Sequence, residues 1–268
     1  MLIASLPMYN IPEIRKASSS LWSGIAKYLR LEGVENVPDQ LAFNQTLHDL
    51  WSNPNLIFSQ CCGYDVVSRF ENTLTPLVVP HFDVDACADG EYFSFVVVNE
   101  DCQYDDVLEM RGTVAAINGP ESHSGMSSLR QLVASRHKNG RFFDAIKISG
   151  AHVKSLAMLR RREADVAAID CVTYALLSVY QPNTLVGTRV LGRTYHSPAP
   201  PYVTRTDYGS TMVERMRTAL LNAFEDPVIT SARQALLLKK IKWVDIATYH
   251  KMSNIEEYAA NLGYPVLQ

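Results

Sequence analysis

The stretch NGPESHSGMSSLR (residues 118–130) gathers the groups best suited to holding an anion. Gly119-Pro120 makes a turn, and Ser122 and Ser124 set hydroxyls at a helix start. Gly125 lets a ligand approach the backbone closely. A helix N-terminus offers N–H groups without intrahelical acceptors and about half a positive charge, and hydroxyls beside it add donors. The pattern suits phosphate, phosphonate or carboxylate. Ordinary N-capping explains the same serines, because serine is a preferred cap. On this stretch alone capping is the commoner outcome, and the anion cradle is the more informative one.

Asp170 ends an apolar strand and opens a helix, where it too can be an N-cap. Its other reading is selective. A carboxylate beside an anion repels it unless the ligand brings a proton or an ammonium group, so Asp170 would reject fully ionised oxyanions. Further strand-to-helix turns carry small polar or aromatic residues: Tyr9-Asn10, Ser59-Gln60 with Gly63-Tyr64, and His152 with Ser155. Tyr9 and Tyr64 each follow a strand, where a hydroxyl can reach a ligand. His123, His152 and His196 are candidates for hydrogen bonding or acid–base work. No histidine pair has the close spacing of a helix-borne metal motif, so neither a metal nor another cofactor is expected. P-loop, dinucleotide-binding, HExxH and GxSxG signatures are all missing, and no catalytic residue is assigned. Cys61-Cys62 at a strand end leaves a reactive thiol open, with burial the better expectation for one of them.

The elements that must position these residues alternate. Strands are expected at 2–6, 56–64, 74–82, 92–99, 113–118, 145–150, 165–170 and 188–194. Helices are expected from the Asn10/Glu13 capping box to Gly33, then at 45–51, 124–136, 152–162, 171–180, 210–223, 227–238 and 255–262. That order argues for an α/β fold with largely parallel sheets, whose ligands bind beyond the carboxyl ends of strands. The irregular run YHSPAPPYVTR contains SPAPP (197–201), the one plausible linker, and reads as a chain returning to its first domain.

Composition narrows the function class. The 268 residues are 47% hydrophobic and 20% charged, with 25 Lys and Arg against 28 Asp and Glu. This is an ordinary globular balance, which excludes disorder and argues against nucleic-acid binding. The longest uncharged run, Cys171–Thr188, is interrupted by Gln181, Pro182 and Asn183, which argues against a membrane span. The opening MLIASLPMYN has no basic residue and no apolar signal core, so either a cytoplasmic chain or a removed signal is expected. Five cysteines match no zinc pattern.

SLPMYN, SQCCGYD, INGPESHSGMSSLR, GAHVKSLAMLRRREADVAAIDC and RTYHSPAPP occur in this order. Together they resemble the phosphate/phosphite/phosphonate substrate-binding proteins of ABC transporters, over about residues 3 to 225. The resemblance implies a two-lobed type II periplasmic-binding-protein fold, with mixed, mostly parallel sheets joined by two crossover strands. Lobe one would comprise 1–96 plus 196–268 and lobe two 97–195, with the ligand cleft between them. It implies capture of a small oxyanion by lobe closure, delivery to a membrane permease, a periplasmic address and a monomer. Mapped by motif, the ligand-binding residues are Tyr9, Ser59, Tyr64, Ser122, His123, Ser124, Gly125, His152 and Asp170. In an exported protein a Cys62–Cys87 bridge is conceivable. The alternative is a cytoplasmic enzyme or sensor on the same fold, binding a phosphorylated or carboxylate metabolite.

Overall fold

The structure, a computed structural model, describes residues 1–87 and 90–268. Strand β1 (Ile3–Ser5) leads into helices α1 (Arg15–Leu31) and α2 (Leu47–Trp51), strand β2 (Leu56–Gln60), α3 (Gly63–Ser68) and β3 (Leu74–Phe82). After the short β4 (Glu91–Tyr92) come β5 (Ser94–Asn99), β6 (Val114–Ile117), α4 (Ser128–Val133), β7 (Ala145–Ile148), α5 (His152–Arg160), β8 (Val166–Asp170), α6 (Cys171–Tyr180) and β9 (Thr188–Arg193). The chain continues through β10 (Ser197–Pro198), β11 (Tyr202–Arg205), α7 (Gly209–Glu225), α8 (Thr230–Ala235), β12 (Leu238–Trp243), α9 (Ala247–His250) and α10 (Ser253–Asn261).

These elements form two units. Unit 1 is Met1–Glu91 with Pro198–His250, and unit 2 is Tyr92–Ser197 with Lys251–Gln268. In unit 1 the sheet order is β1-β2-β11-β3-β12. Only β1 and β2 run parallel, while β11 and β12 join antiparallel. Leu56, Ile57 and Phe58 are fully buried, as their unbroken apolar run requires of a strand covered on both faces. Helix α1 buries Leu21, Trp22, Ile25 and Leu29, one face at helical spacing. Trp22 stacks on Phe58 with ring centroids 5.3 Å apart.

In unit 2 the order is β7-β6-β8-β5-β9, with β6 parallel to β7 and β8 and β5 antiparallel to β8 and β9. Alternate residues of β5 serve opposite faces. Val97 packs with Leu156, Leu159 and Leu177, whereas Val96 and Val98 pack with Leu129, Val133 and Phe143. Both sheets are mixed, and their parallel share is smaller than simple alternation implies: in unit 1 the late β11 and β12 run antiparallel to their neighbours, and in unit 2 β5, the first strand, runs opposite to β8 and β9.

Several expectations are corrected. Residues 251–268, expected in the first lobe, pack in unit 2. Arg130 donates from Nη1 to the Pro265 carbonyl at 2.6 Å, and Ala259, Tyr264 and Leu267 complete the core around Leu129 and Val133. The expected helix 227–238 is shorter and gives way to β12, and part of the supposedly irregular run is β11, inserted between β2 and β3. The Asn10 capping box does not form. Ile11 stands at the cap position, and Asn10 accepts instead from Arg15 Nε at 3.0 Å. No disulfide joins any cysteines among the described residues, so the conceivable Cys62–Cys87 bridge is not made. Among these residues no helix is long and apolar enough to cross a membrane, and no group of three or more His, Cys, Asp or Glu could hold a metal ion.

Candidate functional site

Unit 2 brings together most of the candidate residues. Strand β6 ends at Ile117, and Gly119-Pro120 turns the chain to Ser122. Ser122 sits at the cap in an extended conformation, and its Oγ accepts from the Gly125 N–H at 3.1 Å. The next five residues, His123–Ser127, form a single π turn that runs into α4. The Ser127 N–H reaches back five residues to the Ser122 carbonyl at 3.1 Å. Such widened turns recur at functional sites.

Ser124 is the centre of the arrangement. Its Oγ lies 3.1 Å from His152 Nε2, at the start of α5, and 3.5 Å from Ser122 Oγ. Its carbonyl is clamped by two hydroxyls, from Ser94 at 2.8 Å and Ser128 at 2.6 Å. Burial pushes the His152 pKa down to about 4, partly opposed by the Ala168 carbonyl. The ring is therefore neutral at physiological pH. A neutral imidazole can accept the Ser124 proton or donate to its oxygen, so the pair can present either a donor or an acceptor outward.

Asp170, 3% exposed, caps α6: its Oδ1 accepts from the Thr173 N–H at 2.8 Å. The capping reading is thus realised, and one carboxylate oxygen is accounted for by it. The starts of α4, α5 and α6 all follow strands of one sheet, so hydroxyls, a neutral imidazole, backbone N–H groups and a carboxylate lie at one edge of unit 2.

Three further candidates are held by neighbours within the protein. The His123 ring is 2% exposed, its Nε2 lies 2.9 Å from Ser197 Oγ, and burial lowers its pKa to about 4. Gly125 is required by a neighbour in the protein. A Cβ there would fall 1.8 Å from Asn118 Oδ1. Ser155 is committed to Ser149, with the two hydroxyls 2.7 Å apart.

In unit 1, Tyr9 is half-buried after β1 with its ring edge-on to Phe82 at 5.3 Å, and Tyr64 is half-buried in the first turn of α3. Ser59 is fully buried, and its hydroxyl donates to the Gln60 carbonyl at 3.3 Å. Cys61 is also fully buried. Burial, with Asp65 and Cys62 adding to it, pushes its thiol well above the ordinary range, so it is no ready nucleophile. His196 is exposed and stacks on Phe93 at 5.3 Å.

The supporting residues Ser94, Ser128 and Asn118 were not singled out from sequence. Ser94 opens β5 as a buried polar residue ahead of the apolar run Phe95–Val98, which is the signal the sequence offers. Asn118 is the first polar residue after β6 and fills the space that Gly125 leaves.

A sequence model of the ABC transporter phosphonate periplasmic substrate-binding proteins matches residues 59–253. No curated protein matches the chain by sequence. Solved structures do match. A binding protein component of an ABC phosphonate transporter from Pseudomonas aeruginosa superposes with a TM-score of 0.76 at 14% identity, covering 98% of this chain and 87% of that one. PhnD1 from Prochlorococcus marinus, in complex with methylphosphonate, gives 0.76 at 14%, with 98% of each chain covered. XAC2383 from Xanthomonas citri, bound to ATP, gives 0.69 at 14%, again over 98% of each. At such identities the likeness establishes the fold, a type II periplasmic-binding-protein fold.

Proposed function

Because the chain belongs to the periplasmic phosphonate substrate-binding proteins of ABC transporters, a family of solute-binding proteins, we propose that it binds a small phosphorus oxyanion that retains a proton. The candidates are a phosphonate, hydrogen phosphate or phosphite. The observation that carries this reading is the π turn at Ser122–Ser127, with Ser122, Ser124 and His152 joined beside it and Asp170 at the neighbouring helix start.

Hydroxyls and backbone N–H groups donate to the anion's oxygens. The neutral His152 adds no charge, and the Asp170 carboxylate favours a ligand that offers it an O–H or an ammonium group. Sulfate, fully ionised at neutral pH, offers neither. In unit 1, the half-buried hydroxyls of Tyr9 and Tyr64 remain candidates for ligand contact. The protein performs no chemistry on its cargo. It passes the anion to the transporter's membrane permease, its partner by family, and acts as a monomer in the periplasm. Selection without turnover suits this donor set, which places no activated nucleophile among the described residues of the turn.

Thermal shift followed by calorimetry tests the reading. The panel is methylphosphonate, 2-aminoethylphosphonate, phosphate, phosphite, sulfate, small carboxylates and ATP. A ligand that binds only the folded state stabilises it by about 2.7 kcal/mol at a hundred times its Kd. The expected result is a shift with at least one phosphorus oxyanion and none with sulfate. An equal shift with sulfate removes the proton-reading role of Asp170. A shift confined to ATP or a carboxylate replaces the oxyanion reading with a metabolite-binding one.

A further inference from the structure

We propose that Arg130 is a positioning residue for the Ser122–Ser127 turn, acting by fastening residues 253–268 over helix α4. This rests on the reading of that turn as the anion site. Helix α4 has six residues and is entered through a π turn. The π turn before it and the 3-10 turn Ala134–Arg136 after it leave only these six residues in regular α geometry, and packing supplies most of the stability of such a segment. Its inner residues Leu129 and Val133 belong to a core that Ala259, Tyr264 and Leu267 complete, so the last segment of the chain is part of the support.

Arg130 is 6% exposed and sits on the helix that carries the anion turn, where a guanidinium would ordinarily be expected to meet the ligand. It is instead committed to the C-terminal segment. Nη1 donates to the Pro265 carbonyl at 2.6 Å, and Nη2 pairs with Glu256 Oε1 at 3.2 Å. The segment is pinned again on either side. His137 Nε2 donates to the Leu262 carbonyl at 2.8 Å, and its ring lies parallel to Tyr264 at 5.3 Å. The Phe142 and Phe143 N–H groups donate to the Gln268 oxygen at 2.7 and 3.0 Å. Releasing the strap would take both partners from Arg130 and strip Ala259, Tyr264 and Leu267 from the core around Leu129 and Val133, so α4 would lose the packing that fixes its position. The strap therefore holds α4, and α4 holds Ser124 against His152.

The test uses the full chain. Arg130→Met removes both contacts and keeps an unbranched apolar stem. It is expected to weaken calorimetric binding of methylphosphonate or phosphate ten- to a hundredfold. It is also expected to speed backbone hydrogen exchange over 253–268 and 122–133 in the unliganded protein. Arg130→Lys, which keeps one donor for the Pro265 carbonyl, should recover part of the affinity. Glu256→Ala separates positioning from simple charge attraction. Removing a carboxylate would tighten anion binding by electrostatics alone, whereas a loosened strap weakens it several-fold. It also carries the test if Arg130→Met does not fold. Unchanged or tighter binding in Glu256→Ala, or a released segment with unchanged affinity in Arg130→Met, overturns the proposal. If the wild-type protein binds no oxyanion in the panel, the anion reading fails. Exchange over 122–133 then decides for or against the strap by itself.

Discussion

Ser124 joins three elements through one residue: its hydroxyl meets His152 on α5, and its carbonyl takes the hydroxyls of Ser94 on β5 and Ser128 on α4. That over-determined position is what an anion site needs, because donors fixed in advance lose little entropy on binding. Ser124→Ala together with Asp170→Asn should therefore weaken binding well over tenfold. Each charge-assisted hydrogen bond lost contributes ~1.5–3 kcal/mol, and ~1.4 kcal/mol is a factor of ten. The fold should survive, since asparagine caps helices as well as aspartate does. Calorimetry alongside a melting curve checks both halves, and unchanged affinity would remove these residues from the site. The buried His123 and the half-buried His152 give a second prediction. Each has a pKa near 4 in the folded protein against an ordinary 6.5. Above 6.5 both states are neutral and the rings cost nothing. As pH falls from about 6.5 to 4 the unfolded chain takes up protons that the folded one refuses, so stability is lost across that window. The loss is of order 3 kcal/mol for the enclosed His123 and smaller for the half-buried His152. NMR titration of the ring protons checks this. A His123 that titrates near 6.5 while the protein stays folded would sink it. At this scale the serines and Asp170 were legible because their types and spacing fit a helix start. The inward turn of His123 was not, because which way a side chain at a helix start points depends on neighbours such as Ser197, 74 residues away in sequence.

The anion turn as an element depends on Asn118 and Gly125 fitting together. A Cβ at position 125 would occupy the place of Asn118 Oδ1, at 1.8 Å, and the Asn118 backbone nitrogen is only 3.4 Å away. Gly125→Ala must then displace Asn118 or distort the π turn, at a cost of roughly 1–3 kcal/mol typical of overpacking. Urea unfolding should show that loss, and Asn118→Gly in the same chain should restore most of it. Full stability in Gly125→Ala alone would mean that the turn is softer than its geometry implies. Elements with a strong period were readable in advance, as with the apolar face of α1 and the unbroken run of β2. Elements lacking one were not. In β12 the exposed Lys239, Lys240 and Lys242 interrupt the alternation, and the register slips between Leu238 and Lys240. Lysines suit the outermost strand of a sheet, where they discourage further pairing, but they hide a strand from a reader of periods. Strand β11 was obscured by the prolines before it, which mark a linker equally well.

Across the whole molecule, the decisive feature is that each unit is completed by chain synthesised late. Strand β11 is neither first nor last in its sheet. Val203, fully buried, pairs with Ser59 on one side and Pro76 on the other, so β2 and β3 have no partner between them until residues 202–205 arrive. Unit 2 likewise needs residues 251–268 to close its core. Contacts this distant in sequence carry a large loop-closure cost before they return any stability, which slows folding. A small change in β11 should accordingly be felt far away along the chain. Val203→Ala removes two buried methyl groups and leaves a cavity in the core that Val203 shares with Leu50, Trp51, Leu56 and Phe70, at a cost of about 2–3 kcal/mol. Native-state hydrogen exchange should accelerate across Leu56–Gln60 and Leu74–Phe82 together, because both lose the same neighbour. Acceleration confined to 202–205 would mean that β1, β2 and β3 hold one another without it, and that the returning chain decorates unit 1 instead of completing it.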